Sequence, residues 1–148
     1  MARKPRLCPA GVPQHIIHRG HNRQYIFKAT ADFEMYFSKL EYWSEVYAVQ
    51  LHAWVLMNNH IHLLVTPGSD DGISEMMKRI AGSYGRYFNK RYGLTGTIWE
   101  GRYKNFPIFN QTHCDQIKAY IEHNPVRAGI CGLPSEYRWS SGYSGRCR

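Results

Sequence analysis

The sequence predicts an α+β fold built on an antiparallel sheet with helices on one face. Short aliphatic runs bounded by Gly, Pro or Asn have the length and composition of strands. Longer segments between them repeat apolar residues every three or four positions, which is typical of amphipathic helices. The chain has 148 residues, 43% of them hydrophobic, and this suits one globular domain over residues 1–148.

The first two predicted elements are a strand and a helix. Residues 14–19 (QHIIHR) form the strand, which Gly20 ends. Residues 30–48 form the helix, with Thr30 as the expected N-cap. The apolar residues that recur there at helical spacing are Phe33, Tyr36, Phe37, Leu40 and Trp43.

A hairpin and a second helix follow. The runs at 49–57 and 60–67 predict two strands. Asn58-Asn59 between them suits a tight turn, because Asn tolerates left-handed backbone angles. Residues 71–93 then predict a helix with one apolar and one basic face.

The last predicted elements are a strand around residues 103–109 and a helix over residues 112–124. Thr112 is expected to open this helix, and Asn124-Pro125 to stop it, because Pro cannot continue the hydrogen-bond ladder. The order strand–helix–strand–strand–helix–strand is that of a ferredoxin-like split βαβ domain, here with an added C-terminal helix.

The composition favours a nucleic-acid partner. The formal charge is +8, the pI is near 9.5, and aromatic residues reach 14%. Cations neutralise phosphates and rings stack on unpaired bases, although a basic surface that only confers solubility is the alternative. Cys8, Cys114, Cys131 and Cys147 have no zinc-site spacing. No signal peptide or membrane-spanning run is evident, so we expect a cytoplasmic, nucleoid-associated protein with no membrane partner.

Two histidines share one face of the strand at residues 60–67. Side chains two residues apart point the same way on a strand, so His60, His62 and Leu64 lie together. Two imidazoles can bind one ion but cannot complete its coordination. A solvated polar strand face is the alternative, and from this pair alone it is the better interpretation.

A second group of histidines precedes the first helix. On a strand, His15 and His18 face opposite sides, and His21 follows the strand. We interpret these three as phosphate-contacting or solvated groups rather than as a metal site.

The C-terminal helix offers partners for the histidine pair. Tyr120 and Asn124 lie one turn apart on one side of it, with His113 and Gln116 near that stripe. Two imidazoles, an amide oxygen and waters suit Mg²⁺ or Mn²⁺ better than a closed zinc site. On spacing alone, the better interpretation of Tyr120 is one more ordinary core or surface tyrosine among eleven.

Several motifs in order make the chain resemble the single-tyrosine HUH transposases, and most closely the REP-associated tyrosine transposases. The matching segments are HIIHRGHNRQYIF, HAWVLMNNHIHLLVTP, GRYFNKRYGLTGTIWEGRYK, YIEHNPVRAGI and PSEYRWSS. The resemblance covers nearly the whole sequence. His21 departs from it, since an Asn is expected there.

The resemblance implies a catalytic site. His60 and His62 would be metal ligands, Tyr120 the nucleophile, and Asn124 the third protein ligand, where other branches of the family have a Gln. The implied activity is metal-dependent cleavage and transfer of single-stranded DNA at hairpin, REP-type palindromes through a 5′-phosphotyrosine. Monomeric and homodimeric forms both occur in such families. The alternatives are a domain that binds structured RNA or DNA without cutting it and a ribonuclease that uses water as the nucleophile.

Basic and aromatic residues near these motifs are the candidate DNA contacts. Those expected to bind phosphate are Arg19, Arg23, Arg86, Arg91, Arg102 and Lys104, and those expected to stack on bases are Trp99, Tyr103 and Tyr25. For each of them a solvated charge or a packed ring is the alternative. Residues 1–12 are expected to form a basic arm, with Arg3, Lys4 and Arg6, and residues 126–148 a C-terminal tail.

Overall fold

The computed structural model describes residues 7–145 and confirms the predicted order of elements. In chain order they are β1 (Gln14–Arg19), α1 (Thr30–Val46), β2 (Val49–Leu56), β3 (His60–Pro67), α2 (Gly72–Tyr92), β4 (Lys104–Pro107), α3 (Gln111–Glu122) and α4 (Asn124–Arg127). Short 3₁₀ turns lie at His21–Arg23 and Pro134–Glu136.

The four strands form one antiparallel sheet in the order β2-β3-β1-β4. The two strands of the hairpin are joined by the predicted Asn58-Asn59 turn, which Met57 closes by donating its N–H to the carbonyl of His60. β1 then lies between β3 and β4, as a split βαβ arrangement requires. The predicted α+β fold class is therefore confirmed.

Helices cover both faces of the sheet. α1 and α2 pack on one face, where Ile61, Leu63 and Val65 of β3 contribute to the main core. α3 packs on β2 and β3 from the other face, where Ile121 joins a smaller apolar cluster with Val55 and Leu64. The alternation of β3 side chains thus directs its odd-numbered residues to the main core and its even-numbered residues towards α3.

Two predicted helix caps are wrong by one or two residues. Ala29, not Thr30, is the N-cap of α1, and the Asp32 carboxylate instead accepts the main-chain N–H groups of Lys28 and Ala29. Asn110, not Thr112, caps α3, because its Oδ1 accepts the N–H of His113. Asn ranks above Thr as an N-cap residue, which fits the cap of α3.

The C-terminal tail continues the sheet beyond β2. The N–H of Leu56 donates to the carbonyl of Trp139, and the N–H of Ser141 donates to the carbonyl of Trp54. Trp139 also stacks on Phe33 of α1, with ring centroids 5.1 Å apart. This segment therefore covers the free edge of β2.

The start of the described chain packs against the end of the sheet. Cys8 is buried, and the N–H of Gly11 donates to the carbonyl of Pro67. Arg3, Lys4 and Arg6 of the predicted basic arm, like Cys147, lie outside the described residues. Between residues 7 and 145, no helix has the length and apolar character needed to cross a bilayer.

Candidate active site

Three imidazoles lie together on the sheet face that α3 covers. His15 Nε2 and His62 Nδ1 are 2.9 Å apart, and the two rings stack with centroids 5.1 Å apart. The His60 ring is edge-on to the His62 ring, also at 5.1 Å. His60 and His62 therefore share one face as predicted, and His15 joins them.

The strand register explains why His15 belongs to this group. Ile17 of β1 lies opposite His62, and His15 lies opposite Leu64, so His15 and His62 are diagonal neighbours across the two strands. The predicted solvated or phosphate-contacting role is wrong for His15 and His18, which are only 6% and 4% exposed. The two do face opposite sides of the sheet, as expected.

Tyr120 lies over the histidines. Its ring centroid is 6.0 Å from that of His62 and 6.2 Å from that of His15, edge-on to both. α3 holds this position because Ile121, the next residue, is fully buried against the sheet. The Tyr120 side chain itself is 46% exposed, so a ligand from solvent can reach its hydroxyl.

Burial keeps all three imidazoles neutral. Desolvation, with a smaller contribution from Arg19, lowers the pKa of His60 from 6.5 to about 4. Desolvation lowers the pKa of His62 to about 3, helped by the neighbouring His15, His60, Arg19 and Arg127. Desolvation and then His113 lower the pKa of His15 to about 4. Neutral imidazole is the form that binds a metal ion.

Hydrogen bonds decide which ring nitrogens carry protons. Asn59 Oδ1 is 2.7 Å from His60 Nδ1 and can only accept, so that nitrogen carries the proton and Nε2 keeps its lone pair. The Asn59 amide is oriented by its Nδ2, which donates to the carbonyl of Arg23. In the His15–His62 pair either nitrogen can donate, and the tautomer with the proton on His62 Nδ1 is the one that leaves His62 Nε2 with a lone pair.

These two nitrogens are candidate ligands for a divalent cation. Metal-binding histidines are usually oriented by a hydrogen bond to the second ring nitrogen, and both His60 and His62 have such a bond. Within residues 7–145, no group of three or more His, Cys, Asp or Glu side chains forms a complete metal site. The remaining ligands would therefore be amide or water oxygens.

Asn124 lies beyond the end of the helix that carries Tyr120. α3 ends at Glu122, and Asn124 is the first residue of α4. Its main-chain carbonyl accepts the N–H of Ala128. α3 thus ends two residues earlier than the predicted helix over residues 112–124, although the chain keeps a helical path into α4. The role of Asn124 as a ligand stays a prediction.

Arg127 is a site residue that the sequence analysis missed. The carbon at the centre of its guanidinium lies 4.0 Å from the centroid of the Tyr120 ring. The signal was available, because residues seven apart lie two turns apart on the same side of a helix. It was hidden by Pro125, which predicts that the helical path ends before Arg127.

The predicted phosphate contacts differ in their surroundings. Those with exposed side chains and no described ion pair are Arg19, Arg23, Arg86 and Lys104. Arg19 lies opposite His60 in the strand register, beside the candidate site. Arg91 instead pairs with the buried Asp32 at 3.6 Å, linking α2 to the start of α1. Arg102 is half-buried.

The predicted stacking residues are mostly in the core. Trp99 and Tyr103 are buried, and the Trp99 ring stacks on His18 at 4.1 Å and donates its indole N–H to the carbonyl of Ala81. Their burial does not favour contact with an unpaired base. Tyr25 is 56% exposed and is the one of the three whose ring is accessible.

The buried histidines predict loss of stability in mild acid. The unfolded chain takes up protons on histidine near pH 6.5, whereas folded His15 and His62 stay neutral to about pH 4 or below. The unfolded state thus binds more protons between these values, and the free energy of unfolding falls as the pH falls. The slope is about 1.4 kcal/mol per pH unit for each such group. Urea unfolding at pH 7, 6 and 5 measures it.

A matched pair of variants assigns this acid sensitivity. His62→Gln removes one buried imidazole and should flatten the pH dependence, whereas His21→Gln removes an exposed one and should not. Asp32 does not contribute between pH 7 and 5, because its carboxyl pKa is lowered from the ordinary value of 3.8. Equal slopes in wild type and His62→Gln would contradict the assignment.

Comparisons with known proteins give a family and a fold. The family model described as "Transposase IS200 like" matches residues 10–124. The structure of a REP-associated tyrosine transposase bound to a REP hairpin is similar, with a TM-score of 0.74 and 23% identity over 95% of this chain and 82% of the other. The structure of a candidate transposase from Deinococcus radiodurans R1 is also similar, with a TM-score of 0.55 and 20% identity over 82% of this chain and 97% of the other. No curated protein matches the chain.

Proposed function

Because the chain belongs to the IS200-like transposase family, we propose that it cleaves and transfers single-stranded DNA, with Tyr120 as the nucleophile. The observation that carries this proposal is the position of Tyr120. Its accessible phenol lies within 6.2 Å, ring to ring, of two of three neutral histidines. The phenol must lose its proton as it attacks, and we assign that proton to water.

The histidine pair would hold the divalent cation. His60 and His62 supply two oriented imidazole nitrogens, and Asn124 is the proposed third protein ligand. Bound there, Mg²⁺ or Mn²⁺ supplies charge stabilisation to the scissile phosphodiester. The chain's own contribution is to keep both imidazoles neutral and to hold each ring through a hydrogen bond at Nδ1, with Asn59 for His60 and with His15 for His62.

The chemical step is a transfer of the phosphoryl group to tyrosine. The Tyr120 hydroxyl oxygen forms a bond to phosphorus as the bond from phosphorus to the 3′-oxygen breaks. The phenol proton passes to water, and the departing 3′-oxygen gains a proton. The products are a 5′-phosphotyrosine and a free 3′-hydroxyl, and the retained phosphodiester energy lets a second 3′-hydroxyl reseal the strand without ATP.

The proposed substrate is single-stranded DNA that folds as a hairpin of the REP type. This proposal is supported by the fold shared with the REP-associated transposase over 95% of the chain. It is also supported by the net charge of +8 and by the exposed Arg19 and Arg23 near the histidine strand. Phosphate contacts of this kind make binding weaken as salt is raised.

The test is a search for a covalent protein–DNA adduct. Hairpin oligonucleotides with single-stranded flanks, labelled at either end, are incubated with the protein and Mg²⁺, Mn²⁺ or EDTA. We expect an adduct stable in SDS that retains only the 3′-side label and forms only with metal. Trypsin should place the nucleotide on the peptide of residues 119–127, which contains Tyr120.

Other outcomes would support the alternatives. Binding with no covalent product under any metal condition would contradict strand transfer and indicate a domain that only binds nucleic acid. Cleaved products with no attached protein would indicate water as the nucleophile. An adduct on another peptide would keep the activity and remove Tyr120 from its proposed role.

A further inference from the structure

A cation with no ion-pair partner among residues 7–145 lies over the Tyr120 ring. The central carbon of the Arg127 guanidinium is 4.0 Å from the ring centroid. Arg127 Nη2 also donates to the main-chain carbonyl of Tyr120, at 2.6 Å. These two contacts fix both the height of the guanidinium above the ring and its position along the helix.

The interruption between α3 and α4 creates this arrangement. α3 ends at Glu122, and Pro125 has no N–H for the helical ladder. The chain nevertheless keeps a helical path, since the N–H of Arg127 donates to the carbonyl of His123. Arg127 therefore lies two turns beyond Tyr120 on the same side and reaches back over its ring.

Most of the hydrogen-bonding capacity of Arg127 remains available. A guanidinium has five N–H donors, and the described hydrogen bonds use one of them. No Asp or Glu within residues 7–145 lies at ion-pair distance from Arg127. The side chain is exposed, so these donors can reach a ligand that approaches the tyrosine.

We propose that Arg127 is a catalytic residue that binds the scissile phosphate while Tyr120 attacks it. This inference rests on the proposed function of Tyr120. A phosphorus atom attacked by the Tyr120 oxygen must lie beside the ring that Arg127 covers, and a guanidinium fork matches two non-bridging phosphate oxygens.

Arg127 takes no part in the exchange of protons or bonds. The bond from the Tyr120 oxygen to phosphorus forms, and the bond from phosphorus to the 3′-oxygen breaks, while Arg127 stays protonated throughout. Its contribution is to bind the charge that concentrates on the phosphoryl oxygens in the transition state.

A purely structural role for Arg127 would be to cap α3. Arg127→Gln separates the two roles, because an amide can still donate to a carbonyl but has no charge. Under single-turnover conditions we expect adduct formation to slow by about 100-fold or more in this variant. Noncovalent affinity for the uncleaved hairpin and the Tm should stay close to wild type. Arg138→Gln is the matched control, since Arg138 also covers an aromatic ring, that of Trp139, at 4.5 Å.

Chemical rescue gives a second readout that capping would not affect. In Arg127→Ala, millimolar guanidinium should restore part of the lost rate, whereas urea, which has the same shape but no charge, should not. Arg127→Gln reacting at the wild-type rate would overturn the inference. A helix cap is indicated if the variant reacts slowly, has a lower Tm than the wild type, binds the hairpin with unchanged affinity and is not rescued by guanidinium. That result would also overturn the inference.

The same experiment distinguishes this inference from the proposed function. A wild-type protein that forms no adduct overturns strand transfer through Tyr120, and the role of Arg127 falls with it. A wild-type protein that reacts, together with an Arg127→Gln variant that reacts equally fast, overturns the role of Arg127 alone.

Discussion

Tyr120→Phe should form no covalent adduct with hairpin DNA while binding that DNA as tightly as the wild type. The change removes only the hydroxyl, which is the atom that would attack phosphorus. The described hydrogen bonds of Tyr120 involve its main-chain carbonyl and not its hydroxyl, so the fold loses no described bond. The ring remains beneath Arg127 and beside His62. Denaturing gels under single-turnover conditions measure the adduct, and equilibrium binding in EDTA measures affinity.

Tyr42→Phe is the control for this prediction. Tyr42 is 59% exposed, similar to Tyr120, but belongs to α1 on the opposite face of the sheet. Its variant should form the adduct at the wild-type rate. If Tyr120→Phe still forms the adduct, another group must attack the DNA, and Tyr120 is not the nucleophile.

The fold was predictable because periodicity and turn chemistry agree along the chain. The alternation in β3 placed His60 and His62 on one face, and Asn58-Asn59 fixed where that strand begins. Helical spacing placed Tyr120 and Asn124 on one side of the last helix, and the family resemblance implied that this side meets the histidine pair; the Tyr120 ring does contact His15 and His62. The inferences about β3 and its turn use only residues that are close in sequence.

The parts of the site that were missed depend on contacts between distant segments. Nothing local to β1 indicates that Ile17 lies opposite His62, and this register is what brings His15 to within 2.9 Å of His62. Burial of Trp99 likewise depends on His18 and on the Ala81 carbonyl of α2, neither of which is near it in sequence. Trp99, which the sequence places in a loop motif that looks exposed, is therefore a core residue in the structure.

Arg127 illustrates a different limit. A proline usually ends a helix, so the sequence argues that residues after Pro125 leave the direction of α3. In the structure the chain resumes a helical turn, because proline is acceptable in the first turn of α4. The proline rule places the end of α3 two residues too late and is wrong about where the chain goes next.

Replacing His60 and His62 together with alanine should abolish metal binding and slow adduct formation by at least about 1,000-fold. Both protein nitrogens that fit the cation are removed, and the remaining amide and water oxygens cannot hold it at physiological concentrations. Binding of the hairpin in EDTA should be unchanged, because the phosphate-contacting cations remain. Titration with Mn²⁺, followed by electron paramagnetic resonance, measures metal binding separately from activity.

Stability must be separated from metal loss in this experiment. His62 is 3% exposed and bonds to His15, so its removal leaves a cavity and an unpaired imidazole nitrogen. His60 is only half-buried, and His60→Ala alone should keep the wild-type Tm while weakening Mn²⁺ binding. His52→Ala is the control, since His52 is a half-buried imidazole on β2 that bonds to Thr66. Unchanged Mn²⁺ affinity in folded His60→Ala and in the double variant would contradict a metal site at these histidines.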